Sequence, residues 1–251
     1  MLNAIWMALP EYPSMSVRLP WLSVGADFPD PERAWLEPNG LLCAGGDLSP
    51  TTLLKAYARG IFPWYNAGDP ILWWSPDPRG VLWHEDLHIS RSMRRLLKQQ
   101  HYRISTDLDF RAIIEGCAAP RPYADATWIQ PAMQQAYCAL HAAGHAHSIE
   151  VWDDQGQLAG GLYGICIGRM FYGESMFSRQ PNASKCALIV LSRWLAYQSC
   201  PLIDTQFPNP HLLTLGATTW PRAHALKAIR DLTQKPAQLS WGNWIEVEKL
   251  I

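Results

Sequence analysis

The sequence predicts an α+β fold, and two stretches carry that prediction. Residues 171–206, FYGESMFSRQPNASKCALIVLSRWLAYQSCPLIDTQ, read as strand, helix and strand. That order predicts a βαβ unit with a parallel pair and a right-handed crossover. Just before it, Ser148–Trp152 and Leu158–Met170 read as two strands around the turn Asp153-Asp154-Gln155-Gly156, a hairpin pattern.

The 251 residues suffice for one large domain or two modest ones, and a hydrophobic content of 48% provides a real core. A formal net charge of −1 excludes a globally basic nucleic-acid binder, so any such contact needs a local patch. Thirteen Trp and twenty Pro are a strong bias; Trp suits deep pockets as well as cores. The six cysteines form no CxxC pair and mostly sit in apolar text, as buried reduced thiols do. No stretch has the length of a membrane span. No basic region followed by an apolar block opens the chain, so no signal peptide is expected and the compartment expected is the cytoplasm.

In chain order, residues 1–14 carry little information, and Met15 is an alternative start. Ser49 and Pro50 mark an N-cap and first helical position; the helix runs through Leu53, Leu54 and Tyr57 to a closing Gly60. Gly45-Gly46-Asp47 reads as a turn, because its pattern is neither of the common phosphate-binding glycine loops. Ile61–Arg79 holds Trp64, Tyr65, Trp73 and Trp74 among prolines and glycines, a loop-like text whose aromatics build either core or pocket wall. The N-terminal unit is expected to end near Gly80. Ser90 then caps a helix with Arg91, Arg94, Arg95 and Lys98 on one broad face, and no acid lies between Asp86 and Asp107. That face is either simply solvated or made for a phosphate backbone.

A helix is expected over Asp107–Cys117, capped by Asp107 or Asp109, and another from Pro131 to about Ala143, stopped by Gly144. His141, His145 and His147 resemble metal spacing at first glance, but no acid or thiolate completes a ligand set, so no metal is expected. Gly160, Gly161, Gly164 and Gly168 interrupt a strand, which marks a bulge or a close approach by a ligand. A last helix is expected from about Ala223 to Leu232.

The chemistry centres on three residues. Glu174 is a lone carboxylate among Phe171, Tyr172, Met176 and Phe177. It either pairs with an arginine, faces water, or receives a substrate ammonium. Asp204 and Gln206 lie two apart on a strand and so share a face. They are either a structural polar pair or a catalytic one. In the catalytic reading Asp204 accepts a proton or holds Gln206, and Gln206 touches a nucleophile and a carbonyl. An ordinary Asp at pKa ~3.9 is a weak base near neutrality, which favours orientation. No Ser-His-Asp or Cys-His pairing stands out.

The text EPNGLL, GGDLSP, RGIFPW, ILWWSPDPR, HISRSM, IEGCA, GHAHSIEVW, GESMFS, NASK, LID-x-Q and LGA, running from Phe28 to Ala217, resembles the leucyl/phenylalanyl-tRNA–protein transferases. The resemblance implies a small N-terminal α/β domain over residues 1–80 and a GNAT-like acyltransferase domain over 81–251. It implies transfer of Leu or Phe, less readily Met, from aminoacyl-tRNA to the N-terminal Arg or Lys of an acceptor protein, marking it for degradation. It implies no cofactor, metal or membrane. By motif, Glu174 matches the partner of the aminoacyl ammonium, and Asp204 and Gln206 the catalytic pair. Trp64 and Trp128 match residues around the aminoacyl end. Phe171, Met176, Leu188 and Ile203, joined by Leu162 and Leu191, match its side-chain pocket. Arg91, Arg94, Arg95 and Lys98 match the helix that meets the acceptor stem. The chain departs from the pattern at Phe207-Pro208-Asn209-Pro210 and over its last thirty or so residues. The competing readings are a small-molecule N-acyltransferase using an acyl-CoA and a non-catalytic RNA-binding module. The Arg/Gln-x-x-Gly-x-Gly text of coenzyme-A-dependent proteins is absent before Asn182, which counts against the first.

Overall fold

The computed structural model describes residues 18–120, 127–237 and 239–250; the expectation for residues 1–14 lies outside them. The chain runs through β1 (Trp21–Leu22), β2 (Leu41–Gly45), α1 (Pro50–Tyr57), β3 (Phe62–Pro63), β4 (Leu72–Trp74) and β5 (Arg79–Trp83). It continues with α2 (Arg91–Lys98), β6 (Arg103–Thr106), α3 (Phe110–Ala118), α4 (Pro131–Ala142), β7 (Ala146–Trp152), β8 (Leu158–Ile167) and β9 (Met170–Ser178). The last part is α5 (Ala183–Tyr197), β10 (Leu202–Gln206), α6 (Pro210–Leu213), β11 (Thr218–Trp220) and α7 (Arg222–Thr233). Two mixed sheets result, a small one in the order β1-β2-β4-β3 and a seven-stranded one in the order β11-β5-β10-β9-β8-β7-β6. The expected α+β class holds. No described helix is long and apolar enough to cross a membrane.

The expected crossover is present: β9 and β10 pair in parallel, with α5 between them in sequence. The other pairs of the large sheet are antiparallel. Alternation along the strands divides the core between the two faces of this sheet. Tyr163, Tyr172 and Leu202 face one cluster with α1, α3, α4 and the small sheet. Leu162, Phe171 and Ile203 face the other, where α5 packs. α5 buries one broad face: nine of its residues between Ala183 and Leu195 are buried, while Lys185 and Arg193 stay partly exposed.

Helix signals held closely. Ser49 Oγ accepts from Thr52 N at 3.3 Å, and Ser90 Oγ from Met93 N at 3.3 Å, so both are side-chain caps. Gly60 takes φ +71°, as a closing glycine should. The cap of α3 is Asp109, while Asp107 accepts the amide of Ser148 at 2.7 Å. Two expectations need correction. Ile61–Arg79 is not merely loop: Trp73 and Trp74 form β4, bonded on both sides by β2 and β3. Pro63 is tolerated because β3 is an edge strand. The second hairpin strand ends at Ile167, and Met170 opens β9, because Gly168 at φ +56° turns the chain between them. Of the two readings of the β8 glycines the bulge holds: the ladders to β7 and β9 shift register beside Gly160 and Gly164. The ring of Phe171 and the carbonyl of Tyr172 lie over Gly164, and Ile113 lies over Gly161.

Candidate active site

Strand irregularity creates the site. β9 and β10 pair through Met170–Leu202, Phe171–Ile203 and Tyr172–Asp204, and their ladder stops there. Just past that point both strands carry an extra residue. Tyr163 pairs with Ser175 and Gly164 with Gly173, so Glu174 is the bulged residue of β9. Asp204 pairs with Val81 and Gln206 with Gly80, leaving Thr205 unmatched in β10. Gln206 sits at φ +64°, which costs a non-glycine residue ~1–3 kcal/mol. The strands part where these polar side chains emerge. The space beside Gly173 is open: a Cβ there would make only ordinary contacts, with Ile203 Cγ2 at 3.6 Å and the Asp204 carbonyl at 3.8 Å.

Glu174, Asp204 and Gln206 converge at this gap. The Gln206 side-chain amide donates to Glu174 Oε1 at 2.7 Å. Its backbone N–H donates to Asp204 Oδ1 at 2.8 Å. Tyr137 donates to Glu174 Oε2 at 2.7 Å, and the Tyr57 and Tyr137 hydroxyls lie 2.6 Å apart. Glu174 therefore meets phenols and an amide rather than an arginine. Burial pushes its carboxyl up to about 7; bonds from Tyr137, Tyr57 and Gln206 pull the other way, and the Asp204 charge adds to the rise. Burial, with the charge of Glu174, also drives both phenols well above 10, so they remain donors.

Asp204 is fully buried and clamped by Arg79. Arg79 Nε donates to Oδ1 at 2.9 Å and Nη2 to Oδ2 at 2.6 Å, the two-pronged geometry of a strong pair. Its third nitrogen reaches the Gly60 carbonyl at 2.9 Å, and Phe62 lies 4.9 Å beneath the guanidinium. Both carboxylate oxygens of Asp204 are thus occupied.

The remaining expected site residues fall into three groups. Leu162, Phe171, Leu188, Leu191 and Ile203 share one buried cluster, with half-buried Met176 packed against it. Trp64 joins an aromatic group with Trp74 and Phe207, centroids 5.6 and 5.5 Å away, and Phe207 directly follows Gln206. Trp128 is half-buried against the cluster that holds Tyr137. Arg91, Arg94, Arg95 and Lys98 are exposed or nearly so and line a shallow open depression on α2, whose other side buries Met93 and Leu97. Among the described residues no ion pair engages these four. Of the histidines, His141 stacks on Phe110 and bonds the Ala146 carbonyl, and His147 bonds Asp107 at 2.6 Å.

Tyr57, Tyr137 and Arg79 were missed in the sequence. Tyr57 and Tyr137 lie on separate helices 80 residues apart, and nothing in their spacing ties them to Glu174. Arg79 offered a faint signal: it is a lone cation at the head of the apolar text VLW, which demands a buried counter-charge.

Residues 81–230 match the model of the leucyl/phenylalanyl-tRNA protein transferases, and residues 46–77 match the model of that family's N-terminal domain. The protein is therefore an enzyme, an aminoacyltransferase. A curated relative from Pseudomonas fluorescens named leucyl/phenylalanyl-tRNA–protein transferase is 52% identical over 224 residues, covering 89% of this chain and 99% of its own. Similarly named relatives from Pseudomonas paraeruginosa and Hahella chejuensis are 55% and 57% identical, covering 86% and 79% of this chain and 94% and 85% of theirs. The chain belongs to the leucyl/phenylalanyl-tRNA–protein transferase family. Two solved structures, of L-PGS from Bacillus licheniformis and a GCN5-related N-acetyltransferase-like protein from Streptococcus suis, are loosely similar. Their TM-scores are 0.38 and 0.33 at 9% and 11% identity, each covering 68% of this chain and 57% and 63% of their own.

Proposed function

We propose that this enzyme moves Leu or Phe, and less readily Met, from its tRNA to the N-terminal Arg or Lys of an acceptor protein, marking it for degradation in the cytoplasm. One observation carries the reading of the site: Glu174, Asp204 and Gln206 meet where β9 and β10 part. Residues 1–80 serve as the N-terminal unit and 81–251 as the catalytic one.

In this reading Glu174 receives the α-ammonium of the bound aminoacyl ester. An adjacent cation favours the ionised carboxylate. Its side chain lies against Phe171, Met176, Leu188 and Ile203, with Leu162 and Leu191 behind, and Trp64 and Trp128 flank the aminoacyl end. Gln206, fixed from both ends, sits beside the ester carbonyl and the incoming amine. Asp204 holds Gln206 in place and takes no proton, because Arg79 and the Gln206 N–H occupy its oxygens. The amine attacks the ester carbon, the bond to the ribose oxygen breaks, and one proton passes from the amine to that oxygen. An N-terminal amine has pKa ~7.7–8.0, so about a tenth is neutral at pH 7. Alignment supplies the larger part of the acceleration, up to ~7–11 kcal/mol in well-oriented systems.

The basic face of α2 holds the acceptor stem through its phosphates. Reversing Arg91, Arg94 and Arg95 to Glu is expected to raise the Kd for tRNA and to flatten its salt slope by up to ~0.9 per lost contact. A filter-binding titration at several salt concentrations checks this; an unchanged slope excludes that face.

The proposed activity is tested by incubation with radiolabelled Leu-tRNA and a protein beginning with Arg or with Met. Label on the first alone supports the reading, and label on neither contradicts it. The acyl-CoA alternative predicts heat on titrating acetyl-CoA, which the tRNA reading does not.

A further inference from the structure

Residues 239–250 lie beyond both matched family models, the later of which ends at residue 230, yet they are built into the large sheet. Thr106 N donates to the Asn243 carbonyl at 2.8 Å, and Ile245 N to the Ile104 carbonyl at 2.8 Å. Trp244 forms an antiparallel bridge with Ser105 and carries the Arg103 guanidinium 4.1 Å above its ring. The segment thus caps β6, the outermost strand, as a strap.

Its first aromatic ring reaches inward. Trp241 stacks on His147 of β7 with centroids 4.0 Å apart and planes 7° from parallel. His147 is itself held by Asp107 at 2.6 Å, which gives the Trp241 indole a fixed floor. Trp194 of α5 meets the indole at 4.6 Å, and Phe171 of β9 lies 6.3 Å away. The Phe171 ring also lies over Gly164. Leu239, Ile245 and Leu250 pack against the same cluster, and Val247 belongs to it.

We infer that Trp241 is a specificity-determining positioning residue: it backs Phe171 and so sets the depth of the pocket for the donor's side chain. This rests on the reading above, in which Phe171, Leu188 and Ile203 receive that side chain. Fixed depth matters because a hydrophobic pocket separates side chains by size only through the room it offers, and one methylene gives roughly 10–200-fold. With the indole in place Phe171 cannot recede. Without it Phe171 gains space, and the larger aromatic donor benefits most.

The test measures kcat/KM for Leu-tRNA and for Phe-tRNA on one N-terminal-Arg acceptor, in the wild type and in Trp241→Ala, Trp241→Leu and Trp241→Phe. The Ala and Leu variants are expected to shift the ratio toward Phe by about tenfold, with tRNA binding unchanged. The Phe variant, which restores an aromatic backing, is expected to return most of the wild-type ratio. Trp241→Leu keeps an apolar side chain in the cluster while removing the ring that backs Phe171, so it carries the test if Trp241→Ala does not fold. An unchanged ratio in an active Trp241→Leu enzyme overturns the inference while leaving the transferase reading intact. A wild type that transfers neither amino acid overturns both.

Discussion

Asp204→Ala is expected to lower turnover by about a hundredfold, the scale of a misplaced reacting group, while leaving tRNA affinity unchanged. The cause is mechanical. Asp204 fixes the backbone of Gln206 at 2.8 Å and is itself clamped by Arg79. Removing it frees the strained Gln206 to relax from φ +64° and leaves a buried guanidinium without its partner. Breaking a buried pair from one side costs about 3–5 kcal/mol, whereas replacing both members by apolar residues is often neutral. The double variant Arg79→Met with Asp204→Leu is therefore expected to regain most of the lost stability in urea unfolding and none of the turnover. Equal losses of turnover and tRNA binding in Asp204→Ala, or recovered turnover in the double variant, would contradict the holding role.

Glu174→Gln is expected to show a second effect that changes with pH. Glu174 has its carboxyl pushed up to about 7 from 4.5 by burial. A folded value above the unfolded one means that its contribution to stability is intact below about pH 4.5 and is lost as pH rises through about 7. Glutamine mimics the protonated acid, so variant and wild type are expected to be equally stable near pH 4.5. By pH 9 the variant is expected to be the more stable by about 3 kcal/mol, from ~1.4 kcal/mol per pKa unit. Transfer is nevertheless expected to fall sharply in the variant above about pH 7, where the wild-type carboxyl is ionised and a neutral amide cannot balance the donor ammonium. Urea titrations at the two pH values read the first effect and steady-state kinetics the second. A constant stability difference would remove the raised carboxyl, and unchanged kinetics would remove the ammonium role.

Much of the fold was legible because local signals agreed with the core. Ser49, Ser90 and Gly60 closed or opened their helices where their side chains and backbone freedom require. The amphipathic helix expected between two strands is α5, the crossover between β9 and β10. Glu174, Asp204 and Gln206 stood out through the motifs GESMFS and LID-x-Q, since their apolar surroundings alone left each an ordinary structural reading. What stayed hidden depends on register. A bulge cannot be read from alternation, so neither the placement of Glu174 outside the β9 ladder nor the gap beside it was visible. Tyr57, Tyr137 and Arg79 reach the site through tertiary packing of α1, α4 and β5, across 37 to 125 residues of chain. Trp73 and Trp74 were misleading because prolines and glycines around them look like loop, yet Pro63 sits in the edge strand β3 and the internal strand β4 contains neither residue.

The most direct measurement is a crystal structure of the protein soaked with a stable amide analogue of a 3′-leucyl-adenosine. The account predicts the α-amine within hydrogen-bond distance of Glu174, the carbonyl beside the Gln206 amide, and the leucyl side chain against Phe171 and Ile203. An analogue bound elsewhere, making no contact with Glu174 or Gln206, would contradict it.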